Sequence, residues 1–255
     1  MTINILSILI VPVFICTLSY AADGGNTVYT VGVEDVNYAP HYAFGKDRNV
    51  AEDILNDFSK ENKITLIFKP MSIGQLYWSL LTAETIDFKY PDHPTWGTDI
   101  KRDAPMYYSK GVVDYVDGVV MLPDSSVRYI NQLKVIGALR GFTLVPYLDL
   151  VEKHNISILR ANDFENLIQA LLKGRVDGVY ANIDVIRQKV SELHGDNTKV
   201  YFNYKLPYQR SNYRLSTKKY PVIIRKLDKY FKKYSDRIDL IKEKYGVENI
   251  DFISQ

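Results

Sequence analysis

Cysteine is almost absent from this chain of 255 residues: the single cysteine is Cys16. It lies within residues 1–22, which contain no charged side chain and are apolar over most of their length. Ser19 and Ala21 are small residues three and one before a cut after Ala21, the pattern of a secretory signal peptide. Loss of residues 1–21 leaves a chain without cysteine, which its core alone must stabilise in an oxidising compartment. An uncleaved membrane anchor is the alternative, although the apolar run is short for a full span.

Long apolar runs are missing after residue 22, so no later segment predicts a transmembrane helix. Charge of one sign is not concentrated either, because the 32 basic and 30 acidic residues are mixed along the chain and leave a net charge of +2. Nucleic-acid binding favours a concentrated basic face, so we expect no nucleic-acid partner.

Motifs of common enzymes are missing too: the chain has no G-x-S-x-G, no H-E-x-x-H and no phosphate-binding P-loop. His41 and the pair Asp92-His93 are the candidates for a metal or acid–base site, and three such residues on two loops are a weak basis for one. We therefore expect no catalytic residues, no metal and no cofactor.

Residues 29–44 (YTVGVEDVNYAPHYAF) are the most informative stretch that is present. A β-branched strand runs into a loop of acids and aromatics, and Asn49 and Glu52 then fit a capping box for an amphipathic helix. Open α/β sheets form ligand clefts where such strands end. Strand–helix units recur over the next segments, which predicts a mostly parallel sheet with helices on its faces.

The run 111–122 (GVVDYVDGVVML) is long and β-rich, with Gly118 near its middle, and predicts a strand that crosses between two sheets. Strand and helix patterns then alternate again. We expect one helix from Pro146 to His154 and another capped by Asn162 and Glu165. These segments indicate a second, smaller α/β unit.

Six segments, in this order, resemble the type II periplasmic solute-binding proteins of family 3, which include amino-acid binders. They are VGVEDVNYAPHYAF, NVAEDILNDFSKEN, SIGQLYWSLLTAETIDFKYP, PMYYSKGVVDYVDGVVML, LKVIGALRGFT and LIQALLKGRVDGVYAN. The resemblance implies an α/β fold of two lobes, each a mostly parallel sheet flanked by helices, with a two-segment hinge. We expect residues 26–115 and 208–255 to form lobe 1, and residues 116–207 to form lobe 2.

The resemblance also implies a function. A periplasmic monomer of this family traps a small-molecule ligand between its lobes and delivers it to an inner-membrane ABC permease or sensor. Two alternatives stay open: an enzyme of the same fold, such as a dehydratase or hydrolase, and a ligand-sensing subunit of a membrane receptor.

The residues themselves indicate where a ligand binds. Gly141 allows close backbone approach, Thr143 adds a hydroxyl, and the N-terminus of the helix expected next favours an anion, to which Arg140 adds charge. Tyr38 and Tyr42 in the first loop, with Trp96, are candidates to wall in the ligand, and core packing is the competing role for each.

Two departures from amino-acid binders bear on the ligand. The resemblance implies an arginine after the third strand for the ligand carboxylate, and Lys101 or Arg102 occupies that neighbourhood. It also implies an aspartate for the ligand ammonium, and the aligned residue is Asn182, for which a helix N-cap is the competing role. A neutral amide cannot neutralise a buried ammonium, so Glu34 or Asp35 would have to supply the charge. We therefore predict a small polar or anionic solute rather than a standard L-α-amino acid.

Overall fold

The computed structural model describes residues 26–195 and 198–247, so the predicted signal peptide and Cys16 lie outside the described residues. The strands of this part are β1 (Thr27–Glu34), β2 (Ile64–Met71), β3 (Phe88–Asp92), β4 (Tyr107–Tyr108), β5 (Val113–Met121), β6 (Val135–Leu139), β7 (Ser157–Ala161), β8 (Gly178–Asn182), β9 (Tyr201–Phe202) and β10 (Gln209–Thr217). The helices are α1 (Val50–Glu61), α2 (Ile73–Leu81), α3 (Thr98–Lys101), α4 (Leu150–Lys153), α5 (Phe164–Leu172), α6 (Ile183–His194), α7 (Pro221–Lys233) and α8 (Ser235–Lys244).

Local sequence sets where the main helices of the first half begin. The Glu52 N–H donates to the Asn49 side-chain oxygen at 2.9 Å, and the Asn49 amide donates back to the Glu52 carboxylate at 3.0 Å. This pair confirms the predicted cap of α1. Ser72 and Gln75 form a capping box at the start of α2. Both helices then bury their apolar faces against the sheet.

The sheet has the strand order β2-β1-β3-β10-β5-β8-β6-β7. We call the group β2-β1-β3, which is parallel throughout, the first lobe, and the group β8-β6-β7, also parallel, the second lobe. The long antiparallel strands β5 and β10 lie between the two groups and pair with each other. Hydrogen bonding is therefore continuous through the hinge strands, and the sheet curls there instead of breaking into two.

Gly118 lies on β5 where the strand enters the second lobe. A Cβ atom at this position would be 2.4 Å from the Phe202 ring and 2.8 Å from the Tyr208 Cβ. The crossing strand predicted from the sequence is thus present, and its glycine allows two aromatic side chains to pack directly on the hinge.

Two local expectations need correction. The helix expected from Pro146 to His154 is divided into a 3-10 turn, Val145–Tyr147, and the four-residue α4. The cap of α5 is Asp163 rather than Asn162, because the Asp163 carboxylate accepts from the Asn166 N–H at 2.8 Å. The basic C-terminal segment forms two helices, α7 and α8.

Within the described ranges, every helix is too short or too polar to cross a lipid bilayer.

Candidate functional site

A narrow cavity of about 30 Å³ lies where the two lobes meet the hinge. Its size suits one or two water-sized groups. The cavity is lined from the first lobe, from the hinge strands and from the second lobe by Glu34, Tyr38, Tyr42, Ile73, Tyr77, Lys89, Trp96, Asp117, Gly141, Phe142, Thr143, Tyr180 and Tyr213.

A wider cleft of about 630 Å³ adjoins the narrow cavity and shares Glu34, Ile73, Gly141 and Phe142 with it. Asp35, Ser72, Gln75, Arg140 and Asn162 are among its other lining residues. The volume lies in the range of small-molecule sites. A solute larger than the narrow cavity can therefore extend into the wider cleft.

Direct contacts hold the lobes together at this cleft. The backbone N–H of Asn182 donates to the Tyr38 hydroxyl at 3.0 Å, and both groups are buried. Gly141 has a φ angle of +88°, and a Cβ atom there would be 2.9 Å from the Ile73 side chain. Only glycine adopts this φ angle without strain and leaves room for the Ile73 side chain. The close approach of the lobes therefore depends on this residue.

Glu34 ends β1 inside the site and is only 5% exposed. Its carboxylate accepts a hydrogen bond from the Tyr42 hydroxyl at 3.0 Å. Burial raises the pKa of Glu34 to about 7, although the Lys89 ammonium and the Tyr42 hydrogen bond act in the opposite direction. A positive group that entered the cavity would favour the ionised form of this acid.

Asp117 is the second buried acid of the cavity and belongs to hinge strand β5, where its backbone is paired with Gln209 on one side and Asn182 on the other. Among the described residues, no group donates a hydrogen bond to its buried Oδ1. Burial, and to a lesser extent the charge of Glu34, raises the pKa of Asp117 to about 8. The side chain is fixed in the cavity without a polar partner for this oxygen.

A cluster of buried charges lies behind the first-lobe wall. The Asp92 carboxylate is 2.8 Å from the Lys101 ammonium and 3.5 Å from the Lys89 ammonium, and it also accepts from the Ser216 hydroxyl at 2.6 Å. Lys89 further donates to the Pro91 carbonyl at 2.6 Å. This cluster ties β3, α3 and β10 together and brings one of its lysines, Lys89, to the cavity.

Aromatic rings form most of the cavity wall. Tyr38 and Tyr42 stack at a centroid distance of 4.8 Å, and Tyr115 and Tyr213 stack at 4.4 Å behind them. Tyr42 meets Tyr213 edge to face at 5.2 Å. These contacts join the first loop to both hinge strands and fix the orientation of the rings that face the cavity.

The structure brings most of the sequence-predicted site residues to the cleft. The narrow cavity is lined by six of them, Glu34, Tyr38, Tyr42, Trp96, Gly141 and Thr143. Asp35 and Arg140 line the wider cleft, where the Arg140 side chain donates to Asn162 at 3.0 Å.

The remaining three predicted residues lie outside both spaces. Lys101 is buried in its ion pair with Asp92. Arg102 is exposed and donates to the Asp99 carbonyl at 3.3 Å. The Asn182 side chain accepts from the Asp184 N–H at 2.9 Å and so caps α6, the competing role named for it above.

The expected anion site at a helix N-terminus is not formed. A three-residue 3-10 turn follows Thr143, and four residues of α4 come after it. Such short segments align too few peptide dipoles to favour an anion. Helix polarity therefore does not favour a negatively charged ligand here.

Sequence reasoning did not assign Lys89, Asp117, Tyr180 and Tyr213 to the site. Lys89 and Asp117 carried a signal, since each is a charged residue within a strand of mostly apolar and aromatic residues. Tyr180 and Tyr213 carried none, because tyrosine is common in strands that only pack against a core.

The possible metal or acid–base group of His41, Asp92 and His93 is not assembled. Asp92 is engaged by Lys101, and the two ring nitrogens of His93 lie 2.8 Å from the Thr95 hydroxyl and 2.9 Å from the Ser211 hydroxyl. Burial lowers the pKa of His41 to about 4, so it is neutral near pH 7. Within the described part, no group of three or more histidine, cysteine or acidic residues is placed to hold a metal ion.

Comparison with known proteins found similar proteins among solved structures only. No family model matches the sequence, and no curated protein sequence matches it. Among solved structures, the GluR0 ligand-binding core in complex with L-glutamate superposes with a TM-score of 0.68 at 15% identity, over 86% of this chain and 98% of that one.

Two further solved structures are similar. An ancestral arginine-binding protein bound to arginine gives a TM-score of 0.67 at 19% identity, over 86% of this chain and 98% of that one. An arginine transport-system periplasmic binding protein from Legionella pneumophila gives a TM-score of 0.66 at 14% identity, over 86% of this chain and 100% of that one. The chain has the two-lobe fold of the type II periplasmic solute-binding proteins. This confirms the α/β fold class inferred from the sequence and the resemblance that suggested it, whereas the expected lobe boundaries stay a prediction.

Proposed function

We propose that this protein is a solute-binding protein that traps a small polar solute between its two lobes. One observation carries the proposal: the cavity at the hinge is lined by buried polar and aromatic side chains from both lobes and from both hinge strands. Opening the cleft separates these groups, and closing it brings them around a solute. Such a site binds by enclosure, which is typical of hinge-closing proteins.

The structural neighbours favour a role in solute transport. One of them is described as the substrate-binding protein of an amino acid ABC transporter, with a TM-score of 0.66 at 19% identity, and another as a periplasmic binding protein of an arginine transport system. We propose that the chain is exported, acts as a monomer and delivers its solute to a membrane permease of the ABC type. Enzymatic activity is not part of the proposal.

Small-angle X-ray scattering combined with thermal denaturation tests solute trapping directly. A library of amino acids, amines, polyols and carboxylates is screened for compounds that raise the melting temperature of the purified chain. We expect at least one compound that also lowers the radius of gyration, because binding closes the lobes. If no compound changes either quantity, the proposed function is wrong.

Mass spectrometry of the recovered compound separates binding from catalysis. A solute that is trapped and released leaves with its mass unchanged after prolonged incubation. Conversion of the compound would favour the alternative of a dehydratase or hydrolase that uses Glu34 or Asp117 as an acid–base group.

A further inference from the structure

The exposed side of α7 carries a dense group of positive charges. Five exposed basic residues, which we call the basic face, lie on this helix: Arg225, Lys226, Lys229, Lys232 and Lys233. Successive residues of an α-helix are about 100° apart, so these five fall within an arc of about 120°. The buried side chains of α7 occupy the opposite side of the helix. The fold thus presents as one surface the basic residues of a chain in which both signs of charge are mixed.

Basic residues elsewhere in the C-terminal segment are paired with acids. Lys218 and Lys219 bind the Glu84 carboxylate at 2.8 and 2.6 Å. The Lys244 ammonium lies 2.7 Å from the Asp53 carboxylate. Within the described ranges, no residue of the basic face forms such an ion pair.

The acids beside the basic face are engaged by other groups. Asp228 is the one acid of α7, and its carboxylate accepts from the Lys110 backbone N–H at 2.8 Å. Glu61 shares a shallow groove with three lysines of the basic face. Its carboxylate accepts from the Tyr234 hydroxyl at 2.6 Å and from Arg237 at 2.8 Å. The charge of the basic face is therefore largely uncompensated.

The basic face also makes the whole molecule electrically asymmetric. Its five positive charges exceed the net charge of the chain, which is +2, so the remainder of the chain is net negative. Such a distribution orients a protein as it approaches a negatively charged surface.

The residue types on this face indicate what kind of anion it meets. Four of the five are lysines, which act as separate point charges and lack the planar fork with which arginine grips one carboxylate or phosphate. Exposed aromatic rings, on which the bases of single-stranded nucleic acids stack, are not part of this set. Val222, which is 54% exposed, lies within the same arc one turn before Lys226. Separate point charges beside an exposed apolar side chain fit a layer of anionic lipid headgroups over hydrocarbon.

We propose that the basic face binds reversibly to the surface of an anionic lipid bilayer. The inference goes beyond solute trapping and does not depend on it. Clusters of four to eight basic residues on an amphipathic helix are typical of such binding. No residue of α7 lines the narrow cavity or the wider cleft, so a chain held at a membrane in this way keeps its cleft free.

Vesicle sedimentation tests the proposal on the chain as it is recovered after export. Vesicles of phosphatidylglycerol and phosphatidylcholine in equal amounts are compared with vesicles of phosphatidylcholine alone. We expect binding to the anionic vesicles at about 50 mM salt and its loss at about 500 mM salt, because salt screens exposed charges. Absence of binding to the anionic vesicles, or equal binding to both kinds, would overturn the proposal.

A triple variant tests the residues. Lys226→Gln, Lys229→Gln and Lys232→Gln together remove three exposed charges that pair with no acid among the described residues. Each basic residue near an anionic surface strengthens binding about fivefold, so the lipid concentration at half-maximal binding should rise roughly a hundredfold. Unchanged binding in this variant, with an unchanged melting temperature, would refute the role of the basic face.

A matched control removes the same charge from the second lobe, where Lys134, Lys153 and Lys173 are exposed. Their replacement by glutamine should leave vesicle binding close to that of the wild type. An equal loss in both triple variants would attribute binding to net charge and refute a specific surface.

Other anionic partners are compared under the same conditions. Random-sequence double-stranded DNA and poly-glutamate are titrated against the wild type at about 50 mM salt. We expect both to bind more weakly than the anionic vesicles. Tighter binding of either polymer, lost in the triple variant of the basic face, would assign this surface to a nucleic acid or an acidic protein and overturn the lipid proposal.

Discussion

Asn182 and Tyr38 lie 144 positions apart in the chain and meet across the cleft, where the Asn182 N–H donates to the Tyr38 hydroxyl at 3.0 Å. Both groups are buried, so the bond replaces contacts with water on the two sides of the open cleft. It therefore links the hydrogen bonding of the first loop directly to closure of the lobes.

Tyr38→Phe should shift the solute-free protein toward the open form. The Asn182 N–H loses its partner on closure, which costs about 1–3 kcal/mol for a buried donor. Small-angle scattering should show a larger radius of gyration than in the wild type. Tyr42→Phe is the control, because its hydroxyl binds Glu34 within the first lobe. Equal radii for Tyr38→Phe and the wild type would contradict the role of this bond.

Gly141→Ala should weaken solute binding by hindering closure. The new methyl group would lie 2.9 Å from Ile73 of the opposite lobe, and the φ angle of +88° is unfavourable for alanine. Gly174→Ala is a matched control: it also has a positive φ angle, +64°, but no atom within 4 Å of the added Cβ. Loss of affinity in Gly141→Ala alone, measured by calorimetry, supports a steric role. Equal losses in both variants would attribute the effect to backbone strain.

Lys101→Met should lower the free energy of unfolding by about 3–5 kcal/mol, because it leaves the buried Asp92 with a weaker set of partners. The pair is almost fully enclosed, with side-chain exposures of 6% and 0%. Lys46→Met is the control, since Lys46 pairs with Asp35 at the surface, and its loss should cost about 0–1 kcal/mol. Urea denaturation measures the free energy of unfolding of both variants. A cost below that of the surface pair would show that the Lys101–Asp92 pair is not stabilising.

Asp117→Asn should stabilise the solute-free protein at alkaline pH. The folded-state pKa of Asp117 is raised from 3.8 to about 8, so the folded protein binds more protons than the unfolded chain between these values. Stability therefore falls as the pH rises through this range, by on the order of 5 kcal/mol at most for this group. The ionisable groups that interact with it are Glu34, Tyr38, Tyr42, Tyr115, Tyr180 and Tyr213.

Melting curves at pH 5, 7 and 9 measure the effect of Asp117→Asn. The variant should gain most over the wild type at pH 9 and little at pH 5, where the acid is protonated. Asp124→Asn is the control, because Asp124 is exposed. A gain that does not depend on pH would mean that the carboxylate charge is not the cause.

The sequence was sufficient to identify the part of the cavity lining that follows strand ends. Glu34 is the last residue of β1, and Tyr38 and Tyr42 lie in the loop that follows it. Side chains at the carboxyl ends of parallel strands meet at one edge of the sheet. Gly141 was found for a related reason, since a glycine between a strand and a turn signals close backbone approach.

Long-range pairing explains what the sequence did not reveal. Asp117 and Tyr213 lie within strands β5 and β10, and only the pairing of these distant strands places them beside the ligand space. Lys101 was a candidate because the resemblance implies a positively charged ligand contact after the third strand. No local pattern shows that Asp92, nine positions earlier, engages it.

The position of β10 in the chain has a consequence for folding during synthesis. This strand completes the first-lobe sheet by pairing with β3 and β4, and its Ser216 hydroxyl reaches Asp92, 124 positions earlier. A nascent chain that ends before β10 lacks these hydrogen bonds and leaves the edge of β3 uncovered. Contacts between such distant segments form late, because closing long loops is entropically costly. The first part of the chain to leave the ribosome is therefore the last to acquire its complete sheet.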